Sequence, residues 1–358
     1  MKAGIVGLPQ SGKTMVFNAI TGAHGDVSGY HAGERVSAGV VKVPDERLDA
    51  LARMLAPEET IPATIEFEDI SGVFVHLTGG EQSGRAVAAL REVDAILMVL
   101  RAFESEYVPE VLGAVDPLRE YEAMNSELLL ADLEVIEKRL KAIALDIRRG
   151  RPGRDALLLE QSVVERCREA VEQGRRLQGL RLSEAELPLI RNYGFLTLKP
   201  RLCVLNIGEE KMSAPQRIPE LDRLEPAPIA MCAELEMELM DLQPAERAAF
   251  MADAGLKEMA SGRIVRACYE LLGLRSFFTH VSDKLRAWTI EAGTSAKGGA
   301  GKIHTDMEKG FIRAEVVSFD DLKACGSLKE AKARGKVRME GKDYVVQDGD
   351  VITFHFSR

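Results

Sequence analysis

Residues 7–14, GLPQSGKT, constrain this chain more than any other stretch. They satisfy the pattern G-x-x-x-x-G-K-[ST] through Gly7, Gly12, Lys13 and Thr14. AGIV (3–6) before them reads as a short buried strand, and MVFNAITG (15–22) after them as a helix with Val16, Phe17 and Ile20 available to pack inward. In a strand–loop–helix of this kind, consecutive backbone N–H groups and the helix N-terminus converge on one point, which suits a phosphate chain. Gly12 lets the backbone approach, Lys13 neutralises β and γ oxygens, and Thr14 offers a hydroxyl to Mg²⁺. The expected nucleotide-binding residues here are Gly7, Pro9, Gln10, Ser11, Gly12, Lys13, Thr14 and Met15. A merely structural turn is the alternative, and the flanking strand and helix weigh against it.

A second element agrees with the first. TIEFEDISGVF (64–74) reads as a strand ending in D-x-x-G, with Asp69 placed to hold the Mg²⁺ water shell and Gly72 free to donate its N–H to a γ-phosphate. Lys13, Thr14, Asp69 and Gly72 form the expected catalytic set, with Thr14 and Asp69 as metal ligands. Further strands are expected within 93–104, 200–210 and 227–236. In a P-loop GTPase the last two end in base-reading N-K-x-D and S-A-K motifs. Here the first has become Asn206-Ile207-Gly208-Glu209, and Cys232-Ala233 stand at the second. An Asp there accepts from guanine N1–H and the 2-amino group, and a Lys stem covers the ring. Ile207 and Glu209 weaken that fit, while Asn206 can pair with either purine; an ordinary loop is the bland alternative.

The chain has 358 residues, 46% of them hydrophobic, enough for more than one globular domain. A formal charge of −9 gives no global reason to bind nucleic acid or an anionic membrane, so any RNA contact needs a local basic patch. Five scattered cysteines without a CxxC suggest neither a disulfide framework nor a zinc site. Apolar runs such as 95–100 fall far below the roughly 20 residues that span a bilayer, and no leader pattern precedes the first strand. A soluble, cytoplasmic chain is expected.

Leu129, Leu133, Ile136, Leu140, Ile143 and Ile147 step by four and three alternately, the rhythm of a helix pairing along a narrow seam. RRGRPGR (148–154) breaks that helix, and Leu157, Val164, Cys167 and Val171 return along a second, which predicts an antiparallel hairpin. Its tip carries Arg148, Arg149, Arg151 and Arg154, which can dock rRNA phosphates or simply solvate a turn. A closing helix is expected at 261–274. The remainder shows strand-like runs RAWTIE, RAEVVSF, KDYVVQ and VITFHF among helical MEKGFI and SLKEAKARG. AKGGAGK (296–302) lacks phosphate-loop spacing and reads as a flexible connection.

Taken in order, GIVGLPQSGKT (4–14), VVKVPDERLDAL (40–51), EFEDISG (66–72), LREVDAILMVLRAFE (90–104), FLTLKPRLCVLNIGEE (195–210) and CAELEMEL (232–239) resemble the YchF/Obg-like ATPase family. So do NSELLLADLEVIEKRL (125–140) and, most densely, 286–322 and 341–356. The resemblance implies an α/β fold: a P-loop NTPase domain (1–118 and 196–275), an inserted α-helical hairpin (119–195) and a C-terminal β-grasp TGS domain (276–358). It also implies a preference for ATP over GTP and association with ribosomes. The chain departs from the family in three places: Gly33 falls at the switch I threonine, His76 is new in switch II (73–85), and Glu110 aligns where relatives often carry a histidine. Val73 stands where Ras-like enzymes place a water-orienting glutamine, an apolar substitution that is a family trait. The expectation is a slow ATP-preferring switch with Mg²⁺. A nucleotide-binding module without turnover and a GTP-preferring Obg-type GTPase are the alternatives.

Overall fold

The structure is a computed structural model and describes residues 1–22, 36–74, 77, 84–108, 112–150, 152–212, 222, 224 and 226–357. Gly33, His76, Glu110 and Arg151 lie outside the described residues, as do most of both switch loops. In chain order, β1 (Lys2–Gly7), α1 (Lys13–Thr21), β2 (Val36–Lys42), α2 (Glu46–Leu55), β3 (Glu59–Ile61) and β4 (Thr64–Ile70) come first. Then follow α3 (Gly84–Glu92), β5 (Ala95–Ala102), α4 (Pro117–Arg148), α5 (Arg154–Glu172), α6 (Leu187–Arg191), β6 (Arg201–Ile207), β7 (Ile229–Met231), α7 (Ala233–Asp241), α8 (Pro244–Asp253) and α9 (Ala260–Leu271). The chain ends with β8 (Leu274–Val281), β9 (Lys284–Glu291), α10 (Ala296–Ile303), α11 (Thr305–Lys309), β10 (Phe311–Ser318), α12 (Phe319–Cys325), α13 (Leu328–Ala333), β11 (Arg338–Glu340) and β12 (Asp350–Phe356). Two compact units result, 1–39 with 66–264 and 40–65 with 265–358. Among the described residues no helix is long and apolar enough to cross a membrane.

The first unit is built on a sheet of order β2-β4-β1-β5-β6-β7, in which β4, β1, β5, β6 and β7 run parallel. Its central strands are near-continuous apolar runs because both faces are covered. Parallel strands bring the C-terminal ends of β1, β4, β5 and β6 to one edge, where the motif residues fall. The expected strand at 227–236 is shorter than read: only Ile229–Met231 pair, because Ala233 already opens α7.

α4 serves two cores. Met124 and Leu128 pack with the sheet, while Leu129, Ile136 and Ile143 pack against Val163, Val164 and Cys167 of α5. The seam read from the sequence is therefore the hairpin core, and each fully buried aliphatic side chain contributes roughly 1.5–3 kcal/mol. Arg139 grips both Glu160 oxygens across the pair (2.5 and 2.8 Å). Fully buried Asp132 accepts from the Leu196 and Thr197 N–H groups and the Thr197 hydroxyl, all at 2.8 Å, fastening the returning chain to α4.

The second unit has sheet order β11-β10-β12-β8-β9-β3. β8–β9, β10–β12 and β10–β11 are antiparallel, while β12–β8 is parallel, the β-grasp arrangement, with Ala296 and Ala300 of α10 seated on Phe277, Ile290 and Phe354. Residues 40–65, read in sequence as part of the nucleotide-binding domain, cluster in this unit: β3 pairs with β9, and Arg47 of α2 bonds Asp348 (2.8 Å). The glycine-rich stretch 296–302 is a helix rather than a flexible connection. Ser295 Oγ caps it by accepting from Gly298 N–H (3.2 Å), and Ala296 and Ala300 are fully buried in the core, which offsets a cost of about 1 kcal/mol for each glycine. MEKGFI divides between α11 and β10, and KDYVVQ is no strand; Asp350 Oδ2 accepts from Gln347 N–H (2.9 Å) and the Tyr344 hydroxyl (2.8 Å), holding that segment as a turn.

Candidate functional site

The loop between β1 and α1 is tight. Ser11 N–H donates to Leu8 O (3.2 Å), and both Gln10 (φ 65) and Gly12 (φ 83) adopt left-handed backbone. For Gln10 this conformation costs an L-residue roughly 1–2 kcal/mol. Glycine is needed twice, since a Cβ at Gly7 would lie 2.5 Å from Ser11 Oγ and one at Gly12 would lie 2.2 Å from Asn206 Nδ2. No side chain caps α1, so its first N–H groups face the loop without a side-chain acceptor. Lys13 opens the helix half-buried, Met15 is exposed and Pro9 half-buried.

Three distant segments meet this loop. Thr14 Oγ1 donates to Asp69 Oδ2 at 2.7 Å, joining α1 to the end of β4. Asp69 is 6% exposed, and its Oδ1 is buried without a hydrogen-bond partner, as is Ser11 Oγ. Asn206, 4% exposed at the end of β6, donates through Nδ2 to Ser11 O (3.1 Å) and accepts at Oδ1 from Ala233 N–H (3.2 Å). It ties the loop to the start of α7. Gly72 has φ 93, and Val73 beyond it packs into the sheet core.

Gly7, Ser11, Gly12, Asn206 and Ala233 are thus brought together, and so are Thr14 and Asp69. The side chains of Ile207 and Cys232 are instead buried in the apolar cluster, because strand alternation turns Ile207 away from the side Asn206 faces. Glu209 is exposed on the turn after β6. Arg148, Arg149 and Arg154 are exposed at the facing ends of α4 and α5.

Sequence reasoning missed a polar group behind the loop. Phe103 Cε1 lies 3.9 Å from the position of a Gly12 Cβ, and the buried Arg101 guanidinium stacks over the Phe103 ring at 4.7 Å. Arg101 N–H donates to Glu120 Oε2 (2.9 Å). Burial pushes the Glu120 carboxyl up to about 7, against the lowering effect of the Arg101 hydrogen bond and charge. The available signal was an arginine inside the otherwise apolar run 95–102.

A parallel sheet whose first strand enters a glycine loop and a helix, with a neighbouring strand's carboxylate against the threonine that follows the lysine, defines a P-loop NTPase. A family described as 50S ribosome-binding GTPase matches residues 2–136. The YchF-GTPase C-terminal family, described as a protein of unknown function (DUF933), matches residues 274–357. The Ribosome-binding ATPase YchF of Haemophilus influenzae is 40% identical over 365 residues, 99% of each chain. That of Bacillus subtilis is 39% identical over 366 residues, covering 100% of this chain and 99% of its own. The solved structure of the Schizosaccharomyces pombe YchF GTPase superposes with TM-score 0.86 at 30% identity, over 99% of this chain and 97% of that one. The chain belongs to the YchF family. A GTP binding protein from Pyrococcus horikoshii shares the fold, with TM-score 0.61 at 18% identity over 100% of both chains.

Proposed function

We propose that this protein is a slow, ATP-preferring NTPase that works as a nucleotide-dependent switch on the ribosome in the cytoplasm. The observation that carries the reading is the 2.7 Å contact from Thr14 Oγ1 to Asp69, beside a carboxylate oxygen that is buried and unpartnered. Hard oxygen donors of this kind fit magnesium, and Thr14 and Asp69 are the residues that would hold it. When bound, the ion neutralises phosphate charge. The loop of residues 7–15 wraps the phosphates, with backbone N–H groups donated from Gly12 and the first turn of α1, Lys13 places its ammonium against the β and γ oxygens, and Gly72 N–H donates to the γ-phosphate. Val73, buried in the core, offers nothing to orient the attacking water, so turnover is slow.

Asn206 holds the loop and the start of α7 while reading a purine. Ile207, buried, gives no stem to cover guanine, and Glu209 is a poor substitute for the guanine-reading aspartate, which supports ATP. The functional parts we infer are a nucleotide-binding domain of 1–118 and 196–275, of which 40–65 and 265–275 cluster with the second compact unit, a hairpin of 119–195 and a TGS domain of 276–358. Relatives are named ribosome-binding, and the partner surface is assigned to the TGS domain and the hairpin tip with Arg148, Arg149, Arg151 and Arg154.

Titration with fluorescent ATP and GTP analogues, followed by phosphate release with and without ribosomes, tests this. ATP should bind more tightly, and phosphate release should exceed that of Lys13→Ala and respond to ribosomes. Failure of both nucleotides at millimolar concentration rejects the switch. Release no faster than Lys13→Ala supports a binding module without turnover, the second reading, for which the sequence ground is Gly33 at the switch I threonine position; tighter GTP binding supports an Obg-type GTPase.

A further inference from the structure

At the base of the hairpin a cavity of about 780 Å³ opens between α4 and the segment after α5. Its wall includes Tyr121, Asn125, Gly174, Arg175, Arg176 and Gln178, and no carboxylate stands among its lining residues that the structure describes. Arg176 Nη2 donates to Gln178, while its Nε is buried without a partner. Directly behind Asn125 lies Arg201, the first residue of β6, only 3% exposed. Its Nη1 donates to Asn125 Oδ1 (2.9 Å), but Nε and Nη2 are buried and unpartnered. Burial, together with the Arg176 charge, pushes the Arg201 guanidinium down to about 10. Asp132, the buried carboxylate whose charge reaches Arg201, already accepts from Leu196, Thr197 and Arg91.

A buried guanidinium without a counter-ion is strongly unfavourable unless something compensates it. Here the buried Arg201 and the half-buried Arg176, whose Nε is buried and unpartnered, repel each other at the edge of a space large enough for a small organic ligand. The planar fork of arginine matches the oxygens of a phosphate better than a point charge does.

We propose that this cavity binds a small phosphate-bearing molecule. Arg175 and Arg176 grip its phosphate, and Arg201 orients Asn125 and supplies the field from behind. Tyr121 gives a flat surface for the rest of the ligand. None of these residues belongs to the nucleotide loop, so the two sites are separate.

Calorimetric titration of the full chain, its nucleotide site first saturated with ADP and Mg²⁺, uses inorganic pyrophosphate as the probe at constant ionic strength. One additional site is expected, with thermal stabilisation of the protein. Arg176→Gln, at a half-buried position that should fold, weakens it about tenfold or more, the loss expected for a charge-assisted hydrogen bond. Arg175→Gln weakens it as well, and both arginine variants keep the parent's ADP affinity. Arg201→Met, which removes the uncompensated charge, should also lower pyrophosphate affinity. No additional site, or affinity that Arg176→Gln leaves intact, overturns the proposal. So does an RNA oligonucleotide that displaces pyrophosphate at equal phosphate concentration while free nucleoside phosphates do not.

Discussion

Gly12→Ala and Gly153→Ala form a matched pair. Both glycines sit at helix N-caps in nearly the same left-handed conformation, φ 83 and ψ 15 for Gly12 against φ 85 and ψ 32 for Gly153. A Cβ at Gly153 meets nothing within 4 Å, whereas one at Gly12 comes within 2.2 Å of Asn206 Nδ2, more than 1 Å short of ordinary contact at 3.4 Å. Both alanines bear the backbone cost of roughly 1–2 kcal/mol. Only Gly12→Ala must also displace Asn206, breaking its bonds to Ser11 O (3.1 Å) and from Ala233 N–H (3.2 Å). Each of the two bonds lost leaves a buried group unpaired at about 1–3 kcal/mol, so Gly12→Ala should lose about 2–6 kcal/mol more than Gly153→Ala. Urea unfolding followed by far-ultraviolet circular dichroism gives the stability, and an ATP-analogue titration gives the affinity, which should fall only for Gly12→Ala. Equal destabilisation of the two variants, or unaltered affinity in Gly12→Ala, would refute the reasoning.

Asp69→Asn keeps an acceptor for the Thr14 hydroxyl but removes the charge, so the fold should persist while magnesium no longer tightens nucleotide binding; titrations with magnesium and with chelator check this. Glu120 carries a pH signature. Its folded carboxyl is raised from 4.5 to about 7, so its contribution to stability is full below pH 4.5 and is lost as pH rises through about 7. Glu120→Gln should therefore gain on the parent by up to about 3 kcal/mol across that window, read from unfolding midpoints at several pH values. Asp132→Ala leaves the Leu196 and Thr197 N–H groups buried without their acceptor and should cost about 3–5 kcal/mol, with faster hydrogen exchange at 196–197.

Features whose cause is local were readable from the residues. The loop at 7–14 declares itself because glycine, lysine and threonine must stand at fixed offsets, and the α4–α5 seam because apolar residues repeat along one stripe. The candidate site was legible as a residue set but not as an arrangement. Asn206 meets Ser11 across 195 positions, so its role in bracing the loop appears only after folding. Ile207 looked like a base contact by motif position, yet strand alternation buries it. The glycines of 296–302 suggested a loop by composition; the Ser295 cap and the burial of Ala296 and Ala300 override that preference. In 342–347 the reverse holds, because β-favouring side chains yield to an aspartate-capped turn.

α4 is one unbroken rod of 32 residues, about 48 Å at 1.5 Å per residue. Near its first turn Glu120 is bonded to the end of β5, while Ile136 and Ile143 of its far half are buried in the hairpin core. A lever of that length magnifies whatever happens at its pivot: a tilt of about 5° at the strand end sweeps the arginine-bearing tip through about 4 Å.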